Sequence, residues 1–202
     1  MLWIRTLDKA KKRKSFLGLK EVTKAKLHTR YPVSSILVYN GTTVLHFLLG
    51  GAGIMVGYNF SSVSMIFAYL YFAFSFLEMY LIMPLKVCPC CVYFRLERSV
   101  CVSGLNVVAK MIAREGKPEN FSNRAKGLLS SNNLYMGSLV IPIIAVIPAL
   151  IINFSFLLLA IFIVLAGLLV FRFFVIFPKI ACLHCRAKFK CPQAEAMGIG
   201  NK

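Results

Sequence analysis

Residues 154–177 read FSFLLLAIFIVLAGLLVFRFFVIF, 24 residues with a single charge, Arg172. An α-helix rises 1.5 Å per residue and the hydrocarbon core of a bilayer is about 30 Å thick, so about 20 apolar residues cross it and this stretch is long enough. Working outward, residues 134–152 form a second such stretch, separated from the first by little more than Asn153. Residues 36–58 and 63–83 form two more, joined by Asn59-Phe60-Ser61-Ser62. The expected fold is an all-α integral membrane protein with four transmembrane helices in two tight hairpins.

Composition agrees. Of 202 residues 58% are hydrophobic and only 15% charged, against roughly a quarter charged in a soluble domain. A disordered basic chain is excluded too, because so apolar a chain has ample surface to bury. The net charge of +17 comes from 24 Lys and Arg against 7 Asp and Glu, and its placement explains it. Ten basic residues precede the first span, eight lie between residues 84 and 133, five follow the last span, and neither hairpin tip has one. The positive-inside rule then puts both termini and the central loop on the cytoplasmic face of the cell membrane. Nucleic-acid binding is not expected, since the basic run Lys9 to Lys14 carries no reading motif. With Trp3, Ile4, Leu7, Phe16, Leu17 and Leu19 around it, that run reads as an interfacial helix on anionic lipid. No signal peptide is expected, because no apolar segment follows the basic stretch before the first full span.

Shifting the chain by 94 positions lays Asn59-Phe60-Ser61 on Asn153-Phe154-Ser155, Ile82 on Ile176, Pro84 on Pro178, Cys88 on Cys182 and Cys91 on Cys185, without a gap. The chain therefore reads as a duplicated two-helix unit. Each unit has two spans, so both copies keep one orientation and are related by a pseudo-twofold axis along the membrane normal. The expected segments are residues 1–35 (basic, amphipathic, interfacial), 36–91 (first repeat), 92–133 (cytoplasmic loop with an interfacial helix), 134–185 (second repeat) and 186–202 (tail). Pro84 and Pro178 are expected to end their helices, since proline lacks the N–H that the next turn needs. The same register aligns Glu78 with Arg172, which either pair across the axis or snorkel to the nearby interface.

Cys88-Pro-Cys-Cys91 and Cys182-Leu-His-Cys185 are two CxxC knuckles. A knuckle aims two sulfurs at one point, and two knuckles brought together by symmetry complete a tetrahedral tetrathiolate site. Cys88, Cys91, Cys182 and Cys185 are the expected metal ligands, with Cys101, Cys191, Cys90 and His184 as secondary candidates. That surplus of ligands, and the Cys-Pro pairs Cys88-Pro89 and Cys191-Pro192, point to an iron–sulfur cluster ahead of zinc. The expected role is electron transfer beside a larger redox partner, and a zinc-clamped scaffold is the structural alternative. A four-helix membrane bundle with a surface CxxC also resembles, in architecture alone, the quinone-linked thiol oxidoreductases of the vitamin K epoxide reductase type. That resemblance implies disulfide exchange at a CxxC pair; it extends neither to two knuckles nor to a cytoplasmic face, where thiols are kept reduced.

The remaining features are structural or negative. Gly53 and Gly57, with Gly50 and Gly51, allow close helix contact within the chain. His46 is the one histidine within a span, so an intramembrane bis-histidine haem is excluded. No phosphate-binding glycine loop, HExxH or GxSxG occurs, which leaves hydrolases and nucleotide-driven pumps without support.

Overall fold

The computed structural model describes residues 26–123, 127 and 130–199; the N-terminal interfacial helix expected within residues 1–35 falls largely outside them. Four helices are long and apolar enough to cross a membrane: Val33–Gly57, Ser62–Cys90, Ser131–Ile152 and Phe156–Cys182. We label their α-helical parts α1 (Val33–Gly57), α2 (Ser62–Leu77), α4 (Ser131–Ile152) and α5 (Phe156–Phe171), with α3 (Leu105–Ile112) in the central loop. Among the described residues there is no strand, only two isolated parallel bridges, His28 with Cys185 and Arg30 with Val100.

Serines cap the starts of α2 and α4. Ser61 and Ser130 accept from the backbone N–H groups of Ser64 and Asn133, satisfying donors that the first turn leaves without an intrahelical partner. At the first hairpin tip Asn59 and Phe60 both have positive φ, 53° and 52°, and the Phe60 N–H closes on the Met55 carbonyl at 2.9 Å. This reverses the chain within a few residues, as the short connector demands.

Helix α1 packs against α2, α4 and α5 through a glycine face. A Cβ built on Gly57 would lie 2.7 Å from the Ala149 Cβ, one on Gly50 2.8 Å from Pro142, and one on Gly53 3.0 Å from Val146. The glycines thus serve close packing within the chain, where lipid supplies no hydrophobic drive and van der Waals contact must hold helices together. Polar groups finish the seam between hairpins: His46 Nε2 donates to the Leu139 carbonyl (2.9 Å), Tyr58 to Ala145 (3.0 Å), Tyr71 to Ser138 (3.0 Å) and Asn153 to Gly57 (3.3 Å). Large apolar side chains such as Phe67, Ile151, Phe156 and Phe174 point outward.

Both prolines depart from expectation. Pro84 and Pro178 do not end their helices; each lies inside a π-helical segment, Glu78–Val87 after α2 and Arg172–Cys182 after α5. The wider i→i+5 turn lets the chain pass a residue that lacks an N–H and would clash in a regular α-turn. The bounds recur at the same offset as the sequence match: α2 and α5 begin at residues 62 and 156 and end at 77 and 171, and the π segments begin at 78 and 172.

Candidate functional site

Each π segment delivers a CxxC to the same end of the bundle, and the turn that follows is built alike in both. The Cys91 and Cys185 N–H groups donate to the carbonyls of Cys88 and Cys182, at 3.0 and 3.2 Å. The Phe94 and Lys188 N–H groups then donate to Cys91 and Cys185, at 3.0 and 3.2 Å.

Six of the seven cysteines, Cys88, Cys91, Cys101, Cys182, Cys185 and Cys191, line one cavity of about 150 Å³. Cys101 is fixed by Asn106, whose Oδ1 accepts its N–H at 2.9 Å while Nδ2 donates to the Ser99 carbonyl at 2.9 Å. Its sulfur lies 3.3 Å from Ser103 Oγ. Cys191 caps the short helix Pro192–Ala196. The Ala187 N–H donates to Cys185 Sγ at 3.3 Å, a contact of the kind that stabilises negative charge on a sulfur. Among the described residues, however, no three His, Cys, Asp or Glu side chains form a group that could hold a metal ion. The cysteines surround a space and do not crowd about one point.

The other two candidates lie elsewhere. Cys90 lines a separate cavity of about 320 Å³ with Arg95, Phe121, Arg186, Phe189 and Lys190. His184 holds the Lys26 carbonyl through Nδ1 at 2.9 Å, with its ring 4.9 Å from that of His28; burial and the neighbouring His184 and Lys26 charges lower the pKa of His28.

Sequence reasoning missed the parts that close the site. Residues 28–31 form a strap that ties the second knuckle to the central loop: the His28 N–H donates to the His184 carbonyl (2.9 Å), Val100 to Thr29 (3.2 Å) and Tyr31 to Val100 (3.0 Å). The Tyr31 hydroxyl donates to the Ala181 carbonyl at 2.5 Å and the Tyr93 hydroxyl to the His28 carbonyl at 2.6 Å. Burial first, and nearby cysteines after it, push both phenols well above their ordinary range, so they stay neutral donors. Lys188 is buried at the cavity wall, its Nζ donating to the Leu183 carbonyl at 3.2 Å. Burial lowers its pKa and Cys185 acts against that shift. The register offered no signal for these groups: Tyr93 aligns with Ala187 and Phe94 with Lys188, so the repeats diverge where the closing parts stand.

The cavity's lining includes no carboxylate. At its inner side Tyr39, Tyr135 and Phe177 line the cavity and also contact the Arg172 guanidinium, whose carbon lies 4.8, 5.5 and 5.3 Å from their ring centres. Arg172 is 2% exposed and donates to Thr43 Oγ1 at 2.6 Å. It does not pair with Glu78, whose two carboxyl oxygens are buried without a hydrogen-bond partner. Nor do the two snorkel, since both are sealed inside the bundle.

No protein-family model, curated protein or solved structure matches the chain.

Proposed function

We propose that this is a small membrane metalloprotein whose cysteine-lined cavity holds an iron–sulfur cluster at the cytoplasmic surface and carries single electrons between redox partner proteins. The observation that supports the reading is the gathering of six cysteines, from two knuckles 94 residues apart, on one cavity. Soft sulfur donors without a carboxylate select iron–sulfur clusters, zinc or copper(I) over hard cations. A single zinc needs four ligands about 2.3 Å from one point, whereas a cluster spreads its thiolates over several iron atoms, which suits cysteines that line one cavity without three of them grouped as ligands of a single ion. Cys88, Cys91, Cys182 and Cys185 are the ligands in this reading, and Cys101 and Cys191 stand beside them. The bound cluster would take one electron from a reduced partner and give it to an oxidised one, with no bond made or broken in the chain. The Arg172 guanidinium would be a fixed positive charge beneath that centre, with the buried Lys188 at its wall.

The matching helix bounds, π segments and knuckle turns support a duplicated hairpin with its pseudo-twofold axis along the membrane normal. The distribution of basic residues supports cytoplasmic termini and a cytoplasmic central loop, with the N-terminal basic run on anionic lipid.

The test is iron, sulfide and zinc analysis of full-length protein purified without oxygen, with its visible spectrum. Iron with acid-labile sulfide and a visible chromophore, lost in Cys88→Ser and Cys182→Ser but retained in Cys90→Ser, is the expected result. Colourless protein with stoichiometric zinc would replace the cluster with a structural clamp. Metal-free protein with a titratable two-electron disulfide couple would make it a thiol–disulfide oxidoreductase.

A further inference from the structure

Seven acidic residues occur in the chain, and Glu78 is the one that lies within a membrane span. It is 0% exposed, and neither carboxyl oxygen has a hydrogen-bond partner. One turn earlier, Ser75 is also 0% exposed and its hydroxyl oxygen has no partner. Residues three apart are neighbours on a helix surface, so two orphaned polar side chains share one buried face where α2 gives way to its π segment.

The cationic groups of the bundle are engaged elsewhere. Arg172 is held by Thr43 and three aromatic rings, and His46 by the Leu139 carbonyl. On the elements packed against the π segment, Lys110 of α3 reaches the Leu96 carbonyl at 2.6 Å, and α4 carries no charged side chain, with Tyr135 as its titratable group. Lys86, two turns further along the same segment, is exposed. A carboxylate here would be a full charge in hydrocarbon with neither counter-ion nor donor, which costs far more than a neutral acid with unmet hydrogen bonds.

We infer that Glu78 is a proton-binding site inside the membrane: a neutral carboxylic acid at neutral pH, one helical turn from Ser75, of the kind that carries protons through hydrocarbon. The site needs no metal and does not rest on the cysteine cavity. A sodium ion held between the carboxylate and the serine is the competing occupant of the same geometry.

The experiment is infrared spectroscopy of the full-length protein in a maltoside detergent, which has no ester carbonyl. At pH 7 the six other acids lie outside the spans, so the expected result is one un-ionised carboxylic-acid carbonyl band in the wild type, lost in Glu78→Gln and unchanged when sodium chloride replaces potassium chloride. Absence of the band in the wild type overturns the proposal. A band that gives way to carboxylate absorption as sodium is raised at constant pH overturns it in favour of a cation site. Should Glu78→Gln not fold, reaction of the wild type with dicyclohexylcarbodiimide and peptide mass mapping assigns the band: an adduct on Glu78 supports the proposal, and adducts confined to other acids overturn it.

Discussion

Arg172 is a full charge held in the membrane by ring faces and one threonine hydroxyl. A guanidinium can lie flat against aromatic rings while it donates at its edge, whereas a lysine ammonium is a point charge that cannot do both. Arg172→Lys should therefore destabilise the protein by about 1–3 kcal/mol, seen as a lower midpoint of thermal unfolding in detergent; an unchanged midpoint would mean that the rings do not hold it. Arg172→Gln removes a positive charge beneath the cavity. If the cavity holds a redox centre, reduction becomes harder, and the potential should fall by on the order of tens of millivolts in a spectroelectrochemical titration. Asn106 ties Cys101, Ser99 and Tyr93 together through one amide. Asn106→Ala leaves the Cys101 N–H and the Ser99 carbonyl short of partners, while the Tyr93 carbonyl keeps the Ser99 hydroxyl, and should cost about 1–3 kcal/mol. Asn106→Asp, which keeps the acceptor for Cys101, should disturb the cysteine cavity less than its loss of stability suggests, as read by metal content.

Among the elements, α1 allows the sharpest comparison. Gly57 has the Ala149 Cβ where its own would stand, while a Cβ on Gly41 would meet nothing within 4 Å. Gly57→Ala should push α1 off α4 and destabilise by about 1–3 kcal/mol; Gly41→Ala, in the same helix, should stabilise by about 0.5–1 kcal/mol through lost backbone entropy. Equal effects in paired thermal melts would show that the glycine face does not set the helix separation. The four spans were legible because runs of apolar residues are a direct readout of bilayer thickness, and each is found within a few residues of its expected start. Their extension past Pro84 and Pro178 was not legible, since a proline reads as a stop and nothing in composition distinguishes an α-turn from a π-turn. Likewise the cysteines announced themselves by spacing, whereas Tyr31, Tyr93 and Lys188 reach the site by tertiary contact from segments without a motif. The π segments also aim the knuckles. One residue removed from the π segment rotates and shifts everything beyond it, so if the knuckles hold a metal, deleting Leu85 should abolish its binding while Leu85→Ala, at an exposed position, retains it.

At the scale of the whole molecule, the described Lys and Arg residues other than Arg172 lie in the segments at the cysteine end of the spans, and the helices offer apolar surface to their surroundings. Substituted-cysteine labelling should accordingly place Asn59 and Asn153 on one side of the membrane and Glu115 on the other; a common side for Asn59 and Glu115 would sink the topology. The strap at residues 28–31 has a further consequence, which concerns time. It leaves the ribosome before either hairpin, yet its partners include Val100 and His184, and the second of these follows the fourth span. Until then the strap waits without its far anchor. Docking of the strap therefore follows synthesis of both hairpins, and a chain truncated before residue 184 should insert in the membrane as a stalled intermediate with its strap undocked.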